Sequence, residues 1–229
     1  MKHLIKITAA LLVVAIMFAS CKRDDYLIGG TLHNRKVNAT TYDYLKTNSM
    51  GLFDTLLLLI DKAGVKEKIN KAGISFFAPT DYAITNYLNK RVKEEQNIDP
   101  NRKWTIDSLI RYELPKFADS IDTYIINEAL TYDKLTGNGA IYPTQKAGIN
   151  SVVSYEETRD PNLGYNPNVS TIPRIVYYTI LLQPLTPPIV ASEITSDEGV
   201  RTRVQTSGIE TNTGILHVLN NGHSLFFRK

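Results

Sequence analysis

Gly73-Ile74-Ser75-Phe76-Phe77-Ala78-Pro79-Thr80-Asp81-Tyr82-Ala83-Ile84 is the stretch from which the fold is read. Ile74 to Phe77 is an apolar and aromatic run that stops at Ala78-Pro79, which predicts a buried strand followed by a rigid turn. Thr80 or Asp81 then offers a side-chain oxygen to the free N–H groups of a helix start. The helix so capped carries Tyr82, Ala83, Ile84, Tyr87 and Leu88 and runs towards Val92.

Upstream, Thr40 or Thr41 caps a short helix over Tyr42 to Lys46. Leu52, Leu56, Leu59, Ile60 and Ala63 recur at helical spacing, with Phe53 and Leu57 widening the stripe and Gly64 as the stop. Val65 to Ile69 reads as a further short helical turn. Downstream, the polar stretch from Val92 to Lys103 reads as a surface connection, and Thr105 caps a helix over Ile106, Leu109, Ile110 and Leu114. Pro115 ends or resets that helix, and Phe117, Ile121, Tyr124 and Ile125 give a further helical face.

Past Leu135 the pattern changes to strands and turns. Ala140 to Tyr142 and Ser151 to Tyr155 read as a hairpin. Residues 157–170 hold Pro161, Gly164, Pro167 and three asparagines, an exposed loop longer than a minimal domain needs. Further strands are expected at Ile175 to Leu182, Val200 to Thr206, Gly214 to Leu219 and Ser224 to Phe227. Helices gathered first and an antiparallel sheet second make the expected fold α+β.

About 130 residues after the first stretch stands Asn212-Thr213-Gly214-Ile215-Leu216-His217-Val218-Leu219, an Asn–x–Gly turn leading into a strand with a central histidine. The first stretch resembles the first conserved motif of fasciclin-like (FAS1) adhesion domains, and this one resembles the second. The matching positions are Phe77, Ala78, Pro79, Thr80 and Asp81 in one and Asn212, Gly214 and His217 in the other. The resemblance covers roughly residues 37–227. It implies one FAS1-like domain over 37–229, with N-terminal helices packed against an antiparallel β-wedge or sandwich and the 157–170 loop as an insertion. Adhesion or protein binding, without catalysis or cofactor, is the activity it implies. Three departures stand out: Ile125 follows Tyr124 where the family has a Tyr-His pair, Leu219 replaces a common acidic residue, and Leu225-Phe226-Phe227 replaces a closing Leu-Pro.

The N-terminus speaks to location. Lys2 and Lys6 precede an apolar run from Ile7 to Phe18, and Ala19-Ser20 supplies small residues before Cys21. That is the layout of a secretory signal over residues 1–20. The apolar run is about 12 residues, short of the roughly 20 that span a bilayer. Phe18-Ala19-Ser20-Cys21 resembles the lipobox of bacterial lipoproteins, in which the cysteine carries the lipid that holds the protein to the membrane. An ordinary secreted protein and a retained anchor are the competing readings. Lys22-Arg23-Asp24-Asp25 resembles the tether signals that send lipoproteins of Bacteroidetes-type bacteria to the outer face of the outer membrane. Residues 21–36, with Gly29-Gly30, read as a flexible tether.

Removing residues 1–20 takes away two of the 26 basic residues and no acid, leaving 24 against 23 acidic, a formal charge of +1 instead of +3. Such a balance argues against a nucleic-acid partner, which requires clustered phosphate-neutralising side chains. Cys21 is the single cysteine, so once lipidated it leaves none for a disulfide, a thiolate nucleophile or a cysteine-based metal site.

His217 alternates with Leu216 and Val218 along its strand, so its side chain points to the opposite face, and a structural role is expected rather than a catalytic one. His223 and Asp81 are not brought near it by spacing, and no Gly-x-Ser-x-Gly elbow presents a serine. His33, His217 and His223 lack zinc spacing, and Asp54, Asp61, Asp81 and Asp133 are single carboxylates rather than a calcium loop. Trp104, ahead of a cap, suggests a packing staple against Leu109. Tyr155, Tyr165, Tyr177 and Tyr178 cluster around the sheet and its insertion, and Tyr165 is the candidate partner contact. The expected partners are the membrane, through the lipid, and an envelope or matrix protein or a glycan.

Overall fold

A computed structural model of the protein describes residues 35–228, so the expected signal, Cys21 and nearly all of the 21–36 tether lie outside the described residues. The fold is α+β. Helix α1 (Thr41–Lys46) starts at Thr40, whose Oγ1 accepts from the Asp43 N–H. Helix α2 (Asp54–Ala63) buries Leu56, Leu59 and Ile60 and ends on Gly64, which adopts the left-handed conformation at φ 66°. A one-turn α3 (Lys66–Ile69) follows. Strand β1 (Ile74–Ala78) is buried at every residue, on both of its faces.

Two helices run longer than their apolar patterns. Helix α4 (Asp81–Ile98) extends past Val92 through the stretch expected to be a connection. Lys93 to Gln96 are strong helix formers, and Arg91 ties the added turn through Glu94 and Glu95, three and four residues on. Helix α5 (Ile106–Ser120) opens on a capping box between Thr105 and Ser108 and passes through Pro115 without ending. Pro115 and Arg111, whose carbonyl loses its partner there, are both exposed, so water can replace the missing hydrogen bond. The helical face expected over 117–125 breaks after Ser120. Ile121–Tyr124 is a 3₁₀ turn, and Ile125–Ile126 is strand β2, paired antiparallel with Ser75 and Phe76.

The hairpin is present as β3 (Ala140–Pro143) and β4 (Asn150–Glu157). It is continued by β5 (Arg174–Leu181), β6 (Gly199–Glu210) and β7 (Gly214–Leu219). The strand order is β2-β1-β7-β6-β5-β4-β3. The expectation of an antiparallel sheet needs one correction: β1 and β7 run parallel, with Ile74 opposite Gly214, Phe77 opposite His217 and Ala78 opposite Val218. The two open edges meet. Ile126 bridges Thr144, just past β3, and the Gln145 N–H donates to the Ile125 carbonyl at 2.7 Å. The sheet therefore rolls into a near-barrel, which removes the edge strands that would otherwise invite pairing with another chain.

Ser224 to Phe227, expected as a strand, is a 3₁₀ turn at Leu225–Phe227 in which Phe226 and Phe227 take φ of 65° and 53°. Phe227 is buried with its ring stacked 4.7 Å from Tyr124. The Phe226 N–H donates to the Tyr124 hydroxyl at 2.9 Å, so packing overrides the backbone preference. At the other end, the Val37 N–H donates to the Glu210 carbonyl and the Glu210 N–H to the Arg35 carbonyl. The tether is thus already docked on β6 at its last residues. Helix α1 lies against β7, α2 against α5, and α4 against the C-terminal turn.

Gly214 is where β7 comes closest to β1. A Cβ built there would stand 2.3 Å from the Ile74 carbonyl oxygen, a backbone atom that cannot move aside. Gly214→Ala is expected to cost about 2–3 kcal/mol of stability, at the upper end of overpacking, read as a lowered urea midpoint. A variant as stable as the parent would show that the strands part without penalty.

Candidate functional site

Of the residues singled out in the two motif stretches, Phe77 and His217 come together inside the fold, opposite each other on β1 and β7. Phe77 stacks on His217 with ring centroids 4.6 Å apart and on Tyr178 at 4.0 Å. The His217 Nε2 lies 3.2 Å from the Leu130 carbonyl oxygen and Nδ1 lies 3.0 Å from the Ser207 hydroxyl. A carbonyl can only accept, so Nε2 carries the proton and Nδ1 accepts from Ser207. Burial holds the ring neutral, its pKa lowered to about 4. Both nitrogens are occupied by the protein's own groups, as a structural histidine requires.

Ala78, Pro79 and Thr80 are buried at the turn that leaves β1. Thr80 occupies the N-cap position of α4, but its side chain makes no cap bond and instead donates to Asn221 Oδ1 at 3.1 Å. Asp81 does not cap its own helix either. Its two carboxylate oxygens accept from the Thr55 and Leu56 N–H groups at 2.8 and 2.9 Å. It thereby caps α2, which has no side-chain cap of its own at Phe53, and sits at the positive end of that helix dipole. Asn212 is exposed, where its side chain donates to Asn38 and its N–H to the Ala39 carbonyl.

Sequence spacing did not reveal a second histidine joint. His223 Nε2 lies 2.9 Å from the Tyr124 hydroxyl and Nδ1 3.4 Å from the Thr202 hydroxyl. Tyr124 already accepts from the Phe226 N–H, so its proton is free to point at His223. Tyr124 is followed by Ile125, and the histidine it meets lies 99 residues away in sequence. Burial, reinforced by Lys90, lowers His223 to about 3, and burial raises Tyr124 well above the ordinary phenol. Neither histidine meets Asp81.

The other candidates have structural partners too. Asp61 accepts from the Tyr42 hydroxyl at 2.9 Å. Trp104 lies against the Arg91 guanidinium at 4.3 Å and near Tyr112 at 5.9 Å. Arg91 also pairs with Glu94, Glu95 and Glu113. Tyr178 is buried and donates to the Thr123 carbonyl at 2.5 Å. Tyr177 lies on the outer face of the sheet beneath the Arg201 guanidinium, at 3.7 Å. Tyr165 is half-buried within the loop that follows β4, its N–H donating to the Asp160 carbonyl. Among the described residues no group of three histidine, cysteine or acidic side chains is placed to hold a metal ion.

The surface carries shallow recesses. One, of about 310 Å³, lies between residues 47–53 and the bulged part of β6 and includes the exposed Met50. Another, of about 470 Å³, lies where β4 ends and β5 begins.

No family model matches the chain, and no curated protein matches it. Among solved structures it is similar to a FAS1 domain pair from the insect cell adhesion molecule fasciclin I, with a TM-score of 0.43 and 14% sequence identity. The match covers 79% of this chain and 47% of that one, so this chain spans about half the length of that structure.

Two expectations follow from the buried polar groups. Asp81→Ala removes the cap of α2 and is expected to lower stability by about 1–2 kcal/mol, measured by urea unfolding. The histidines make stability depend on pH. Below the ordinary histidine value of 6.5, an unfolded chain protonates both rings, whereas the folded chain keeps His217 neutral to about pH 4 and His223 to about pH 3. Their contribution is complete above pH 6.5 and falls by about 1.4 kcal/mol per pH unit for each ring as the pH drops. His217→Gln is expected to be less stable at pH 7 but to lose less than the parent on moving to pH 4.5. Parallel losses in the two proteins would contradict a neutral buried ring.

Proposed function

We propose that this chain is a lipid-anchored, non-enzymatic FAS1-like module of a bacterial cell envelope that binds a protein partner. Cys21 carries the lipid, the following residues carry the chain to the outer face of the outer membrane, and the domain from residue 37 onward presents the binding surface. The observation that carries the binding reading is the use made of the histidines. His217 and His223 are buried, neutral, and hydrogen-bonded at both nitrogens within the protein, which favours a scaffold role over proton transfer. The anchor reading is supported by the run that ends at Ser20-Cys21.

A second reading, an accessory glycan-binding lipoprotein that serves an outer-membrane uptake system, is favoured by the recess at the end of β4. Its lining of tyrosine, serine, threonine, arginine and glutamate has the mix of polar groups that sugars engage.

A fatty-acid probe fed to expressing cells should label the parent and leave Cys21→Ala unlabelled and released from the membrane fraction. Equal labelling of the two would end the anchor reading. On the first reading, capture from the intact envelope returns a protein partner and a neutral and acidic glycan array stays blank. The reverse pattern would replace the first reading by the second.

A further inference from the structure

The recess of about 470 Å³ is lined by Tyr132, Glu157, Ser170, Thr171, Ile172 and Arg174. Its position follows from strand register. Glu157 and Arg174 are partners in the β4–β5 ladder, in the same alternation as Tyr155 with Val176 and Val153 with Tyr178. Side chains two apart share a face, and Val153, Val176 and Tyr178 are buried. Glu157 and Arg174 therefore continue the inward-facing row to the point where the near-barrel opens. The recess is the mouth of the sheet's interior, not a dent on its outer face. Barrel mouths are favoured places for small-molecule binding, and the volume falls within the usual 300–1,000 Å³ range.

The lining groups combine charge with unengaged hydroxyls. The Arg174 Nε donates to Glu157 Oε1 at 3.3 Å, while the guanidinium lies 4.5 Å over Tyr155. This pair leaves the two terminal nitrogens of Arg174 outside it. Arg35 brings a second guanidinium, 5.6 Å above the Tyr132 ring, and is held there by the bond from the Glu210 N–H to its carbonyl. Two cations, Arg174 and Arg35, and one carboxylate, Glu157, thus stand around Tyr132. Among the described residues, the hydroxyls of Tyr132, Ser170 and Thr171 have no hydrogen-bond partner. Burial raises the Tyr132 phenol above its ordinary value, so it remains a donor.

We propose that this mouth binds an acidic saccharide, a uronate whose carboxylate is met by Arg174 and Arg35 and whose hydroxyls are met by Glu157, Ser170, Thr171 and Tyr132. A uronate carries the required anion and several hydroxyl donors on one compact ring. An aspartate or glutamate side chain supplies the anion but gives the Glu157 carboxylate no hydroxyl to accept from. Guanidinium forks suit carboxylates, and Ile172 offers an apolar contact to the sugar's C–H face. The proposal rests on the glycan reading and assigns it a site.

The test is calorimetric titration of the full chain in detergent with trigalacturonate, against neutral galactotriose and hexaglutamate as comparators. Trigalacturonate should bind more weakly as salt rises, at least 10-fold more weakly to Arg174→Gln, and several-fold more weakly to Tyr132→Phe. The melting temperatures of both variants should stay near that of the parent. If Arg174→Gln fails to fold, Tyr132→Phe and Thr171→Ala decide. Absence of trigalacturonate binding, or equal binding by parent and variants, overturns the proposal. Hexaglutamate binding as tightly would make the mouth an acidic-peptide site instead. Galactotriose binding that ignores Arg174 would keep the glycan reading and remove this site from it.

Discussion

Phe77 on β1 and His217 on β7 stand side by side on parallel strands, their rings stacked nearly parallel with centroids 4.6 Å apart. Parallel neighbours cannot be joined by a hairpin, so nearly all of the sequence between them is connection: two long helices and five of the seven strands. Everything about that contact is arranged for close approach. Gly214 lets β7 lie against the Ile74 carbonyl. The other face of Phe77 is closed by Tyr178 from β5. Ser75, two residues from Phe77, donates to the Glu128 carbonyl and accepts from the Leu130 N–H, and Leu130 in turn receives His217. Hydrophobic stacking and a satisfied polar ring thus support the same pairing.

Groups that elsewhere perform chemistry serve here as joints. Asp81 closes the start of a helix other than its own, His217 ties β7 to the segment after β2, and His223 ties the C-terminal turn to Tyr124. A domain with no cysteine after Cys21 has no covalent staple, so its distant segments are held by burial, hydrogen bonds and ion pairs such as Arg91 with Glu113. Buried polar groups are costly when unpaired and specific when paired. That explains why the histidines are kept neutral and why both ends of the described chain are fastened, at Glu210 and at Tyr124.

The same rolling that buries these joints leaves the sheet open at one end. There the inward row changes from Tyr178 and Val176 to Arg174 and Glu157, and the long connection after β4 lines the opening with hydroxyls. The core fixes the position of the opening, and the connection supplies the side chains that line it.

Much of the fold was legible in local pattern: the strand at Ile74–Ala78, the helix stopped by Gly64, the Thr105 cap, the β3–β4 hairpin and the strand at Gly214–Leu219 each carry their own signal. Misreadings fell where a long-range contact outweighed a local preference. Pro115 sits inside a helix because its lost hydrogen bond faces water. Ile125-Ile126 leaves the helical period to pair with β1, and Leu225–Phe227 curls because Phe227 is buried on Tyr124. The polar tail of α4 carries no apolar stripe, so its helical state rests on helix-forming residues and ion pairs that periodicity does not register. Sequence alone determined the α+β order and the two marked stretches, and it set the expectations of a structural His217 and of an export signal ending before Cys21. Tertiary structure decided that the stretches are parallel neighbours, that Asp81 caps another helix, that Tyr124 finds His223 and that Arg174 and Tyr132 meet at the barrel mouth. Each of these joins residues tens to more than a hundred positions apart, and no local periodicity encodes such distances.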